Sequence, residues 1–196
     1  MFFAVIASAG DPPIGFDEET LGKVMAGQIV TKELVGTKNE FRHVIRAYFN
    51  KVSSDAYIGL ATDHPRYATL FPEVKEGKTL KVNDTRTEFD FWLHLDLQYG
   101  PYTIPMYPEL HQTVFRAPDQ LSEARIQSEL SNYKDEMDFG MQKTRLIPYE
   151  TGMLVEEDIH FKAKEAIPTA SLVKQELLKF YSRYVDTFRR VLQGGY

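Results

Sequence analysis

A chain of 196 residues, 43% hydrophobic and 26% charged, has the length and balance of one globular domain with a core large enough to stand without staples. Its 23 basic and 28 acidic residues give a formal charge of -5, and the basic ones are scattered, which argues against a nucleic-acid groove or an anionic membrane surface as main partner. The lack of cysteine excludes disulfides and thiolate chemistry, and no apolar run reaches the roughly 20 residues that span a bilayer.

In chain order, residues 1–9 read MFFAVIASA, an apolar patch that ends in Ala7, Ser8 and Ala9 like a cleavage site, without a basic segment or a long apolar stretch before it. Residues 1–15 are therefore expected to be an apolar tail, the remnant of a signal peptide, on a periplasmic or secreted protein; a cytoplasmic protein is the alternative. Residues 16–40 form a peripheral unit: a helix over 17–26 capped by Asp17 and stopped near Gly27, an edge strand over 28–34, and a polar break. Residues 41–49 are the first main strand, with Ile45, Ala47 and Phe49 on one face and Arg42, Val44, Arg46 and Tyr48 on the other.

Residues 53–76 pack two short helices between strands. Ser53 and Ser54 cap the run 55–61, Pro65 opens the second helix, Pro72 ends it, and Asp63, His64 and Arg66 mark the turn between them, Asp63 as a helix cap. Residues 74–82 are a strand and Asn83 and Asp84 a hairpin turn. The next strand is the clearest, with Phe89, Phe91, Leu93, Leu95 and Leu97 alternating against Glu88, Asp90, Trp92, His94, Asp96 and Gln98, so that Trp92 faces outward. Residues 99–108, with three prolines and three tyrosines and no period, read as a loop that can serve as a lid. Strands follow over 110–115 and 122–131, where Ile126, Ser128 and Leu130 share a face, and a hairpin over 139–147 and 153–161. After Pro168 the period changes to about 3.6, and Val173, Leu177, Tyr181, Tyr184, Phe188 and Val191 form one stripe of a long helix.

Asp63, Tyr67, Phe71, Pro72 and Val74 resemble the D-x-x-R/x-Y-x-x-F/W-P-x-V pattern of the START-like (SRPBCC) superfamily of polyketide cyclases and coenzyme Q-binding proteins, with one residue more between Tyr67 and Phe71, and from about residue 41 to 192 the chain resembles that superfamily, with Gly140 as its turn glycine. The resemblance implies an α+β helix-grip fold over 41–193: a curved antiparallel sheet wrapped around a long C-terminal helix, with two short helices after the first main strand. It also implies a cavity between sheet and helix that holds a hydrophobic or lipid-like molecule, and it permits a cyclase or aromatase in the same cavity. A protein-interaction module is the third reading, against which the negative charge speaks.

The expected lining is Phe89, Phe91, Leu93, Leu95, Ile126, Val173, Leu177 and Tyr181, with Tyr57, Tyr67, Phe71 and the tyrosine loop at the entrance. Ser128, and Gln142 and Thr144 if Gly140 is the turn glycine, interrupt the apolar face as polar anchors, because a polar group in a dry core is costly unless paired. Only Glu157 falls on that face as a candidate acid or base. The five histidines lie singly, without metal-ligand spacing, and His94 and His160 point outward. No glycine-rich phosphate loop and no nucleophile elbow is present. No catalytic residue, metal or cofactor is assigned.

Overall fold

The computed structural model describes residues 15–34, 37, 39–99, 101–119, 122–132, 137–164 and 170–194, apart from the side chains of 99, 102, 104 and 170–174. The expected tail lies outside these residues except for Gly15. Helix α1 (Glu18–Met25) starts where the Asp17 carboxylate accepts the Thr20 amide at 2.7 Å. Phe16 and Val24 pack on Ile147 and Leu154 as a small second core, which holds this unit against the outer face of the sheet.

Strand β1 (Val30–Glu33) pairs with β2 (Glu40–Phe49). The further strands are β3 (Val74–Val82), β4 (Glu88–Tyr99), β5 (Tyr102–Met106), β6 (Glu109–Phe115), β7 (Ala124–Leu130), β8 (Met137–Tyr149) and β9 (Gly152–Ala163), followed by helix α4 (Ala170–Leu192). Their order is β1-β2-β9-β8-β7-β6-β4-β3, all pairs antiparallel, with β5 added to β4. From β3 to β9 the strands follow one another by hairpins, except that β5 and β6 run in succession along the same side of β4, so the chain must cross from β2, near one edge, to β3, at the other. Helix α2 (Ser54–Ala61), a 3-10 turn (His64–Arg66) and helix α3 (Tyr67–Leu70) make that crossing. The Ser53 hydroxyl accepts the Ala56 amide at 3.2 Å to start α2.

The main core lies between the inner face of the sheet and the helices: Ile45, Ala47 and Phe49 of β2 meet Tyr57 and Ile58 of α2 and Val185 and Phe188 of α4, all fully buried. Each valine, isoleucine and phenylalanine among them contributes about 1.5–3 kcal/mol by leaving water. The period-two and period-3.6 patterns of the sequence thus face one another.

Several expectations are corrected. The tyrosine–proline stretch is not a loop: β5 occupies it, and Pro105 sits opposite Asp96 on a segment paired on one side only, where its missing N–H costs no ladder bond. Gly140 is not in a turn; it lies within β8, where an added Cβ would stand 2.8 Å from the Phe161 ring. Asp63 stands at the start of the 3-10 turn but makes no side-chain capping bond. His64 lies in that turn as expected, and its fully buried ring stacks on Phe91 at 3.8 Å.

Candidate functional site

Between the sheet and α4 lies a cavity of about 380 Å³, within the size range of pockets for one drug-sized molecule. Alternation along β4 turns Phe91, Leu93, Leu95 and Leu97 toward it, and the helical period of α4 brings Leu177, Phe180, Tyr181 and Tyr184 down on the opposite side. Tyr67 and Phe71 close one end from α3, where Phe71 stacks on Tyr184 at 5.4 Å. Met106 and Pro108 add a wall from the β5 region.

The apolar lining is broken by Asn39 and Glu40, where β2 begins, and by one polar band across the sheet. Gln112, Ser128, Gln142 and Thr144 all reach the cavity from neighbouring strands β6, β7 and β8, because Ser128 stands opposite both Gln112 and Gln142, and Thr144 stands opposite Glu157. Two hydrogen-bonded chains hold the band in place. On one side the buried His64 ring bridges Thr79 Oγ1, 2.9 Å from Nδ1, and Gln112 Oε1, 3.3 Å from Nε2, and Gln112 Nε2 donates to Ser128 Oγ at 3.2 Å. The amide oxygen at Nε2 places the imidazole proton there, so Nδ1 accepts from the threonine hydroxyl. Burial disfavours a second proton and holds the His64 pKa down at about 4.

On the other side, the fully buried Glu157 carboxylate accepts from Tyr57 Oη at 2.7 Å, Thr144 Oγ1 at 2.8 Å and Gln142 Nε2 at 3.0 Å. Burial pushes its pKa up, and the three donors oppose that shift. The hydroxyls of Tyr57, Tyr67 and Tyr184 gather nearby, and burial holds all three well above the ordinary tyrosine value. Two cations of this sheet are paired on the outer face: Arg46 binds Glu156 at 2.7 Å, and Arg145 joins Glu156 at 2.9 Å and Glu123 at 2.8 Å.

The structure gathers Tyr67, Phe71, Phe91, Leu93, Leu95, Ile126, Ser128, Gln142, Thr144, Leu177 and Tyr181 on the cavity wall. Tyr57 is not at an entrance, because its ring is buried against Phe49 and Phe188 and its hydroxyl is tied to Glu157. Tyr67 and Phe71 are deep walls for the same reason, both almost wholly buried. Phe89 does not line the cavity and packs in the core, edge-on to His64. The Val173 side chain lies outside the described residues. His94 and His160 sit on the outer side, paired with Asp96 at 3.3 Å and Glu40 at 2.6 Å, and Trp92 stacks on Tyr107 there.

Gln112 was legible by parity, since it shares a face with Leu110 and Val114; His64, Thr79 and Met106 carry no such signal. Among the described residues, no cluster of three or more histidine or carboxylate side chains is placed to hold a metal ion, and no helix is long and apolar enough to cross a membrane.

No family model and no curated relative matches the chain. Solved structures do. A STAR-related lipid transfer protein from Xanthomonas axonopodis superposes with a TM-score of 0.63 at 16% identity, over 83% of this chain and 98% of that one. A START superfamily protein from Mycobacterium smegmatis gives 0.55 at 14% identity, over 85% and 97%. The Zhui aromatase/cyclase from a Streptomyces species gives 0.55 at 11% identity, over 84% and 93%. The likeness is one of fold, and the chain, with its curled antiparallel sheet and the C-terminal helix laid across it, has the START-type helix-grip fold.

Proposed function

We propose that this protein binds one hydrophobic or lipid-like small molecule between the sheet and α4, as a carrier or sensor. The observation that carries this reading is the cavity of about 380 Å³, apolar on nearly all sides and floored by a hydrogen-bonded polar band. A solid core has no use for such a band, whereas a binding site needs a few polar groups to orient an otherwise apolar guest. The lipid-transfer protein among the structural neighbours is consistent with it.

A cyclase reading draws on the aromatase/cyclase neighbour, but an acid or base must come within hydrogen-bond reach of its substrate. Glu157 stands behind Gln142 and Thr144, which donate to its Oε2 and face the cavity in its place, while Tyr57 donates to its Oε1. Binding without reaction is therefore preferred.

Titration with an environment-sensitive apolar dye tests the reading: saturable binding at one site is expected, abolished or much weakened in Leu177→Trp, with little change in melting temperature. Overpacking of a filled core would instead cost about 1–3 kcal/mol. Unchanged dye affinity together with a large stability loss in that variant would overturn the proposal.

A further inference from the structure

We infer that the polar band is a slot for a single hydroxyl group, so that the cavity selects an uncharged apolar alcohol over carboxylates, phosphate esters and plain hydrocarbons. This rests on the binding function proposed above and narrows it.

The argument follows the direction of the hydrogen bonds. From the His64 side, every bond donates toward the band: Thr79 to the ring, the ring to Gln112, and Gln112 to Ser128 Oγ. The serine oxygen is thereby used as an acceptor, and its own proton is left to donate. From the Glu157 side the direction is reversed. The carboxylate demands donors, so Gln142 turns its amide nitrogen to Glu157 and presents Oε1 to the cavity, while the Thr144 proton is also drawn to Glu157.

Ser128 and Gln142 are direct cross-strand partners, yet no hydrogen bond joins them among the described residues. One donor and one acceptor therefore stand side by side in the wall. A hydroxyl is the group that accepts from the first and donates to the second. An ether or ketone answers only the serine. A carboxylate or phosphate meets the Gln142 oxygen with an acceptor, has the Glu157 carboxylate behind it, and finds no lysine or arginine among the described residues of the wall.

The test is displacement of the bound apolar dye at neutral pH by dodecanol, dodecyl methyl ether and dodecanoate, which share one chain and differ in the head. Dodecanol is expected to compete about tenfold better than the ether, one hydrogen bond's worth of discrimination, and better still than the carboxylate. In Ser128→Ala, where the side chain stays small and loses its donor, the gap between alcohol and ether, each read against that variant's own dye affinity, should close to within about twofold. If the dye binds but the ether or the carboxylate competes as well as the alcohol, the slot is overturned and the binding function stands. Persistence of the full preference in Ser128→Ala overturns it as well. If the dye itself shows no saturable site in the wild-type protein, both fall together.

Discussion

Glu157 is a carboxylate with no ion pair among the described residues, held instead by one amide and two hydroxyl donors. Truncation to alanine leaves those donors unpaired at about 1–3 kcal/mol each, whereas Glu157→Gln keeps an acceptor in place and should melt much closer to wild type. The pH dependence separates the two roles of the group. Its pKa is raised by burial, so the folded state holds the proton more tightly than the unfolded one. Its stabilising contribution is complete below the unfolded value of 4.5 and is lost as pH rises through the folded value. Melting temperatures of wild type relative to Glu157→Gln should therefore fall with rising pH above that point; a flat difference would contradict the raised pKa.

His64 works in the opposite sense. Its pKa is depressed from 6.5 to about 4, so the contribution of the neutral ring is complete above 6.5 and lost as pH falls through about 4. The whole effect is at most about 3 kcal/mol. A His64→Gln variant should lose stability at neutral pH and show a shallower acid limb in a series of thermal melts. An acid limb as steep as that of wild type would show that another group controls it.

At the scale of elements, β4 is the clearest case of sequence dictating structure. Leu93 and His94 are adjacent, yet one faces the cavity and the other an outer pair with Asp96. Leu93→Asp should destabilise by several kcal/mol more than His94→Asp, since the first buries an unpaired charge. Equal melting-temperature losses in the two variants would mean that the register is wrong. Strands and α4 were legible because their apolar periods run unbroken for many residues. The β5 segment was not, because its prolines and tyrosines break the apolar alternation that marks a strand, although it pairs locally with β4, Tyr102 opposite Tyr99 and Met106 opposite Leu95. Nor was Gly77 legible: its role is to let β3 pass the His64 carbonyl, 2.0 Å from where a Cβ would stand, a close approach that exists only once the helix crossing has formed.

For the whole molecule, the fold was readable from the motif at Asp63, Tyr67, Phe71, Pro72 and Val74 together with the long alternation and the final helix. Much of the cavity wall followed from parity. What parity cannot supply is depth. Tyr57, Phe89 and Phe91 all face inward, but only Phe91 reaches the cavity, because Tyr57 packs on Phe49 and Phe188 and Phe89 packs edge-on to His64. Nor does parity say which way an amide points, and the direction of Gln142 and Gln112 comes from the buried Glu157 and His64.

Helix α4 is gripped unevenly. Val185 and Phe188, toward its C-terminus, are completely enclosed, while Leu177, Leu178, Phe180 and Tyr181 are half-buried despite being equally apolar. The first group rests on solid core; Leu177, Phe180 and Tyr181 of the second rest on the cavity. Pinned at one end, the helix behaves as a lever whose free arm can lift without global unfolding, because few contacts must break to raise it. Backbone amides of residues 176–181 should then exchange with deuterated water well before those of 185–190, and a filled cavity should slow the first set while leaving the second unchanged. Exchange at one common rate along the whole helix would show that it moves only when the molecule unfolds, and a guest would then have to enter by another route.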